Sequence, residues 1–220
     1  MMSLQIDEKL KKRWPIIAIG SIQCDVHVEE SGDELKTELL SLSENIKNSL
    51  KREDISKLPP IHEARKAYRA LGKDPARYRL SSEALLRRIV NGKGLFFVNN
   101  IVEINNMVSL KSHQPICAFD SSQLQPPIRF TIGKTDDIYY GIGRGMMNIE
   151  NLPVFEDQKG KFGSPTSDSE RVKIQFSTQK LWMNIVSFSG EIQLEENLSE
   201  LEKYLRKFGY AENIQSKIIT

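Results

Sequence analysis

Apolar residues return every third or fourth position in several stretches of this chain, and the polar residues between them mark where each stretch begins and ends. Over residues 33–52, Leu35, Leu39, Leu40, Ile46 and Leu50 predict one face of a helix, with Ser31-Gly32-Asp33 as the turn and cap before it. Residues 61–71 predict a second helix, closed by Gly72 in the C′ position. A third is predicted over residues 84–90, capped by Ser81-Ser82-Glu83 and stopped by Asn91-Gly92. A clear amphipathic run, residues 194–208, turns Leu198, Leu201 and Leu205 inward and stops at Gly209. A short helix is also expected over residues 4–13, ended by Pro15.

A different period governs the remaining apolar runs. Residues 16–28, IIAIGSIQCDVHV, are rich in β-branched side chains and alternate toward their end, which predicts a strand. Shorter strands are expected at 128–132, 137–140, 152–155, 172–176 and 181–188, whereas the tail to Thr220 carries no pattern. The stretch 98–120 changes character halfway. Ile101, Val102, Ile104, Met107, Val108 and Leu110 suit a short buried helix, His113-Gln114-Pro115 forces a stop, and Ile116 to Phe119 read as a buried strand closed by Asp120. Such a junction holds Asn106 and Cys117 near each other in the interior. Helices and strands mixed in this order make an α+β chain.

Its 220 residues, 39% hydrophobic and 27% charged, fit a single domain over 1–220: an N-terminal strand and helices (1–60), a core (61–190), and a C-terminal helix and tail (191–220). No apolar run approaches the ~20 residues of a membrane span, so no membrane association is expected. The N-terminus lacks a signal-peptide core, and Cys24 and Cys117 make no disulfide framework, so a cytoplasmic location is expected. No Cys/His spacing suggests zinc; neither a metal nor a cofactor is expected. Oligomeric state is not readable.

Charge sharpens the picture. The chain's net charge is +2, yet residues 61–93 hold nine Lys/Arg against three Asp/Glu. Such asymmetry points to a polyanionic partner. Arg69, Lys73, Arg77, Arg79, Arg87 and Arg88, with Tyr78 among them, are the candidate RNA-binding residues, because guanidinium forks suit phosphate oxygens and a ring can stack on an unpaired base. A solvated helical face laced with ion pairs explains the same residues.

Two polar segments are candidates for chemistry. In Gly141-Ile142-Gly143-Arg144-Gly145 the alternating glycines allow close backbone approach, but no P-loop lysine follows, and a tight strand connection explains them as well as a phosphate does. Phe162 to Arg171 concentrates hydroxyls around Asp168, with no neighbouring histidine to build a serine triad.

Four strings then carry a resemblance: YRALGKDPARYR (68–79), SSEALLRR (81–88), NNIVEINNMVSLKSHQPICAFD (99–120) and FGSPTSDSER (162–171). Together, across residues 64–190, they resemble the B3/B4 domain of the phenylalanyl-tRNA synthetase β subunit in its free-standing form. The resemblance implies a three-layer α+β domain, a β-sandwich of unusual topology with flanking helices. It also implies tRNA or an aminoacyl-tRNA end as partner, and an editing site that hydrolyses tyrosine wrongly esterified to tRNA. The family's asparagine falls on Asn106, and the family's histidine position holds Cys117. The family's late-strand glutamate falls in Leu181-Trp182-Met183-Asn184, where no carboxylate stands, and its glycine-rich wall falls on Gly163-Ser164. On this resemblance Asn106, Cys117, Gly163, Ser164, Thr166, Ser167, Asp168 and Met183 are expected to bind substrate, with Asn106, Cys117 and Asp168 as candidate catalytic groups. Cys117 could equally be pocket wall or plain core. Three functions follow: a trans-acting deacylase for mischarged tRNA, a non-catalytic module for an amino acid or RNA, and a hydrolase for a different aminoacyl ester. A complete aminoacyl-tRNA synthetase is not expected in a chain of this length.

Overall fold

The computed structural model describes residues 2–220. Its elements run β1 (Leu4–Ile6), α1 (Glu8–Arg13), β2 (Ala18–Asp25), α2 (Asp33–Ser49), α3 (Pro59–Leu71), α4 (Ser81–Val90), α5 (Asn100–Ser112), β3 (Ile116–Asp120), β4 (Ile128–Ile132), β5 (Ile138–Gly141), β6 (Gly145–Asn148), β7 (Pro153–Asp157), β8 (Gly160–Ser164), β9 (Ser167–Asp168), β10 (Lys180–Ser187), α6 (Leu194–Phe208) and β11 (Glu212–Ile219). The strands form a five-stranded sheet of order β1-β4-β7-β8-β9, a four-stranded sheet of order β11-β2-β10-β3, and a β5-β6 hairpin. No described helix is long and apolar enough to cross a membrane.

The two sheets face each other across aromatic rings. Phe119 of β3 and Trp182 of β10 meet Phe155 of β7 and Phe162 of β8, with ring centroids 4.9–6.0 Å apart at tilted or edge-on angles. Phe130 of β4 extends the cluster to Phe155 at 4.5 Å. Burying such rings is the largest single contribution per residue to a core of this kind. On its other face the four-stranded sheet carries α5 and α6. A Cβ on Gly20 of β2 would come within 3.1 Å of Leu198, so glycine at that position lets α6 settle onto the sheet. Helices, sheet and sheet make three layers, as expected of an α+β sandwich.

Several elements depart from the sequence expectation. The chain opens on a strand rather than a helix, because buried Leu4 and Ile6 flank exposed Gln5 with period two, and β1 pairs in parallel with β4. Helix α1 starts only after Asp7, whose carboxylate accepts the Lys9 N–H. Residues 172–176 are no strand: a 3₁₀ turn (Glu170–Val172) buries Val172, and Phe176 is exposed. The patternless tail is β11, an edge strand antiparallel to β2 from Glu212↔Asp25 to Ile219↔Ile19. Its residues lie half-exposed or exposed, so no apolar alternation announced it.

The junction at 98–120 forms as its residues dictate. Asn99 caps α5 by accepting the Val102 N–H at 2.9 Å, His113 adopts a left-handed conformation (φ 59°) as C-cap, and Pro115 leads into fully buried β3. The three glycines at 141–145 serve the β5-β6 hairpin, with Gly143 and Gly145 at φ 64° and 70°.

Candidate functional site

Strand β3 is an edge of its sheet, paired only with β10. An edge N–H needs a partner, and the one at Ala118 is taken by Asp168 Oδ2 at 3.1 Å. That bond ties β9 across the edge and defines the rear wall of a cleft of about 660 Å³, within the usual range for small-ligand sites. Helix α5 supplies the floor with Asn105, Asn106 and Ser109, and the β8-β9 turn supplies Thr166, Ser167 and Asp168. Neither Asn105 nor Asn106 is spent on a hydrogen bond to another described side chain. Five cations stand around the mouth: Arg79, Arg87, Arg88, Lys93 and, from the β5-β6 turn, Arg144.

Asp168 is the one carboxylate in this lining. The residue is half-buried, while its Oδ1 is withdrawn from solvent and accepts no N–H or O–H. Burial pushes its pKa up to about 7, opposed by the Ala118 N–H and by the Cys117 thiol against it. Gly163 makes this packing feasible: a Cβ there would lie 2.6 Å from the Phe119 ring and 2.9 Å from Asp168 Oδ1. Two tyrosines brace the turn from behind. The Tyr139 hydroxyl meets Ser164 Oγ at 2.8 Å and donates to the Ser167 carbonyl, and the Tyr68 hydroxyl meets Thr166 Oγ1 at 3.0 Å. Burial holds both phenols protonated.

The expected substrate-binding residues therefore divide. Asn106, Thr166, Ser167 and Asp168 line the cleft. Gly163 and Ser164 stand behind it as supports for Asp168 and Tyr139. Cys117 is buried, and its thiol is pushed well above the ordinary range by desolvation and by Asp168, so it is a neutral thiol rather than a thiolate. Met183 points to the helix side. Trp182 faces the sandwich interior, and side chains alternate along β10, so Asn184 shares Trp182's face and Met183 does not.

Asn184 is the residue that motif reading missed. It is fully buried, stands opposite Cys117 on β3 and Ser21 on β2, and neither its Oδ1 nor its Nδ2 has a partner among the described residues. Cross-strand pairs bring side chains within about 5 Å, so Asn184 and Cys117 share one polar patch with Asp168 beyond. A polar residue inside the strand run 181–188 was the available signal.

The expected RNA-binding residues divide as well. Arg79, Arg87 and Arg88 reach the cleft. Arg69 and Arg77 are exposed outside its lining. Lys73 is turned inward: buried, it donates to the Asn148 and Glu150 carbonyls, which occupies its ammonium, and it sits 3.8 Å over one face of the half-buried Tyr78 ring. Part of the cationic excess is structural, since Arg65 and Arg87 both bind the carboxylate of buried Glu83 at 2.9–3.0 Å. Arg171 pairs with Asp157 through two bonds and stands apart from Asp168.

No curated protein matches the chain. Among solved structures, an N-terminal fragment of the phenylalanyl-tRNA synthetase β subunit from Pyrococcus horikoshii is similar over 99% of this chain and 50% of that one, at 14% identity and a TM-score of 0.49. The chain thus spans half the length of that fragment. The B3/4 domain family matches residues 63–204, which hold most of α3, all of α4 and α5, every residue lining the cleft, four strands of the five-stranded sheet and two of the four-stranded one. With well over half its length matched, the chain belongs to the B3/4 domain family.

Proposed function

We propose that the cleft takes the 3′ end of a tRNA carrying an esterified amino acid, and that the protein hydrolyses that ester in trans. The observation that carries this reading is the joining of five cations to a neutral polar floor in one cleft. Arginine and lysine at a mouth attract a phosphate backbone, while amides and hydroxyls inside suit the uncharged ribose and acyl groups. The sequence resemblance supports it too: it implies an editing site in this domain and lays the family's asparagine on Asn106.

Hydrolysis requires that water attack the acyl carbon, that a base take the water's proton, and that the ribose oxygen leave with a proton. Asp168 is the base assigned here: a carboxyl poised near pH 7 exchanges protons efficiently at physiological pH. The Asn106 amide is the group assigned to the developing oxyanion. Cys117 takes no covalent part, because a buried neutral thiol is a poor nucleophile.

A second reading, a module that binds the RNA end or an amino acid without turnover, is favoured by one observation: the cleft lining contains no histidine, cysteine or second carboxylate beside Asp168. Incubation with a panel of tRNAs charged with different amino acids separates the two. Loss of the ester from some members, abolished by Asp168→Asn, is the expected result. Salt-sensitive binding with every ester intact would leave the binding module alone standing.

A further inference from the structure

The connection between α4 and α5 ends in Phe96, Phe97 and Val98, three consecutive exposed apolar residues. Phe96 is 70% exposed and lines the mouth of the cleft. Large side chains left in water beside a polar cleft call for an occupant. The connection is anchored at both ends. Arg88 Nε donates to the Gly94 carbonyl at 2.7 Å and its Nη2 to the Lys93 carbonyl at 3.1 Å. Gly92 and Gly94, at φ 72° and 63°, allow the tight reversal that aims those carbonyls inward. At the far end, the Val98 N–H donates to buried Glu103, which Ser31 also holds. Between these anchors the Arg88 guanidinium lies 4.0 Å over the Phe96 ring.

One face of the ring is thus covered by a cation pinned in place, and the ring remains largely open to solvent. We propose that Phe96 is a stacking platform for an unpaired nucleobase at the 3′ end of an RNA, preorganised by Arg88. This rests on the reading of the cleft as an RNA-end site and adds what holds the base. A base is flat, polarisable and uncharged, so it suits an exposed ring. Its phosphates suit Arg79, Lys93 and Arg144 around the same mouth. Preorganisation matters because a ring already fixed loses little freedom on binding.

The test uses the full chain and a short single-stranded RNA ending in adenosine, with fluorescence anisotropy as readout. A matched RNA whose 3′ nucleotide lacks its base is the second probe. Wild-type protein is expected to bind the first about 5- to 150-fold more tightly than the second. Phe96→Leu, which keeps apolar bulk without a π face, is expected to erase that difference, and Phe96→Tyr to restore it. Both changes fall on an exposed side chain, so circular dichroism and thermal melting should match wild type. Salt-sensitive binding that ignores the missing base would overturn the platform while the RNA-end reading stands. Binding of neither RNA at low salt would overturn both.

Discussion

Replacing Glu83 by glutamine separates the structural arginines from the free ones. Glu83 sits in the first turn of α4 with its side chain 1% exposed, and it accepts from Arg65 and Arg87, themselves 15% and 23% exposed. Removing one member of a buried ion network typically costs about 3–5 kcal/mol, because the remaining charges lose their compensation. Glutamine keeps the length and one acceptor oxygen, so the expected loss is about 2–4 kcal/mol, the charge-assisted share. In a chain of this size that lowers the melting temperature by roughly 5–15 °C. Arg79→Gln and Arg144→Gln provide the contrast: both side chains are exposed at the cleft mouth without a carboxylate partner among the described residues, so each should stay within about 0.5 kcal/mol of wild type. Urea denaturation of the three variants is the assay. An unchanged midpoint for Glu83→Gln, or an equal loss for Arg79→Gln, would refute the division of this basic segment into structural and free cations.

Asn184→Leu is expected to raise stability by about 1–3 kcal/mol, since it replaces two unpartnered buried polar groups by apolar ones of similar size; a loss above about 1 kcal/mol in urea titration would mean that the amide is satisfied. Asp168 releases its proton near pH 7 when folded and near pH 4 when unfolded, so its contribution to stability is full below about pH 4 and declines until the pH passes 7. Between pH 5 and pH 8 wild type should therefore lose about 2 kcal/mol more than Asp168→Asn, and parallel pH profiles would contradict the raised value. Both cysteines are buried, and burial pushes the Cys24 thiol up to about 12, so a thiol-reactive chromophore should label neither in the native protein and both after denaturation. Rapid native labelling of Cys117 would reopen its role as nucleophile.

The elements legible in the sequence were those with a strong period or a hard stop. The α2 and α6 leucine faces, the Gly72 cap and the Pro115 break all appear where the residues put them. What the pattern concealed was decided between segments. β11 is an edge strand with little apolar signal, and β1 spans three residues, too short to outweigh a helical spacing. Its identity comes from β4, more than a hundred residues away. The site divides in the same way. Asn106, Thr166, Ser167 and Asp168 were reached from motif strings because the β8-β9 turn and α5 are local structures. The faces of Met183 and Asn184 were not legible: a shift of one residue along a strand exchanges its two faces, and only packing against Phe119 and Phe155 fixes which face Trp182 takes. Lys73 read as a free cation because nothing nearby in sequence announces the carbonyls of Asn148 and Glu150 that hold it.

The cleft as an RNA-end site is tested most directly by binding of one uncharged tRNA in two forms, intact and lacking its unpaired 3′ nucleotides, across a salt series. If Arg79, Lys93 and Arg144 meet phosphates, the affinity of the intact form should fall with a log–log slope of about −0.7 per contact. Removal of the 3′ end should weaken binding at least tenfold and flatten that slope. Equal affinities and equal slopes for the two forms would contradict the account.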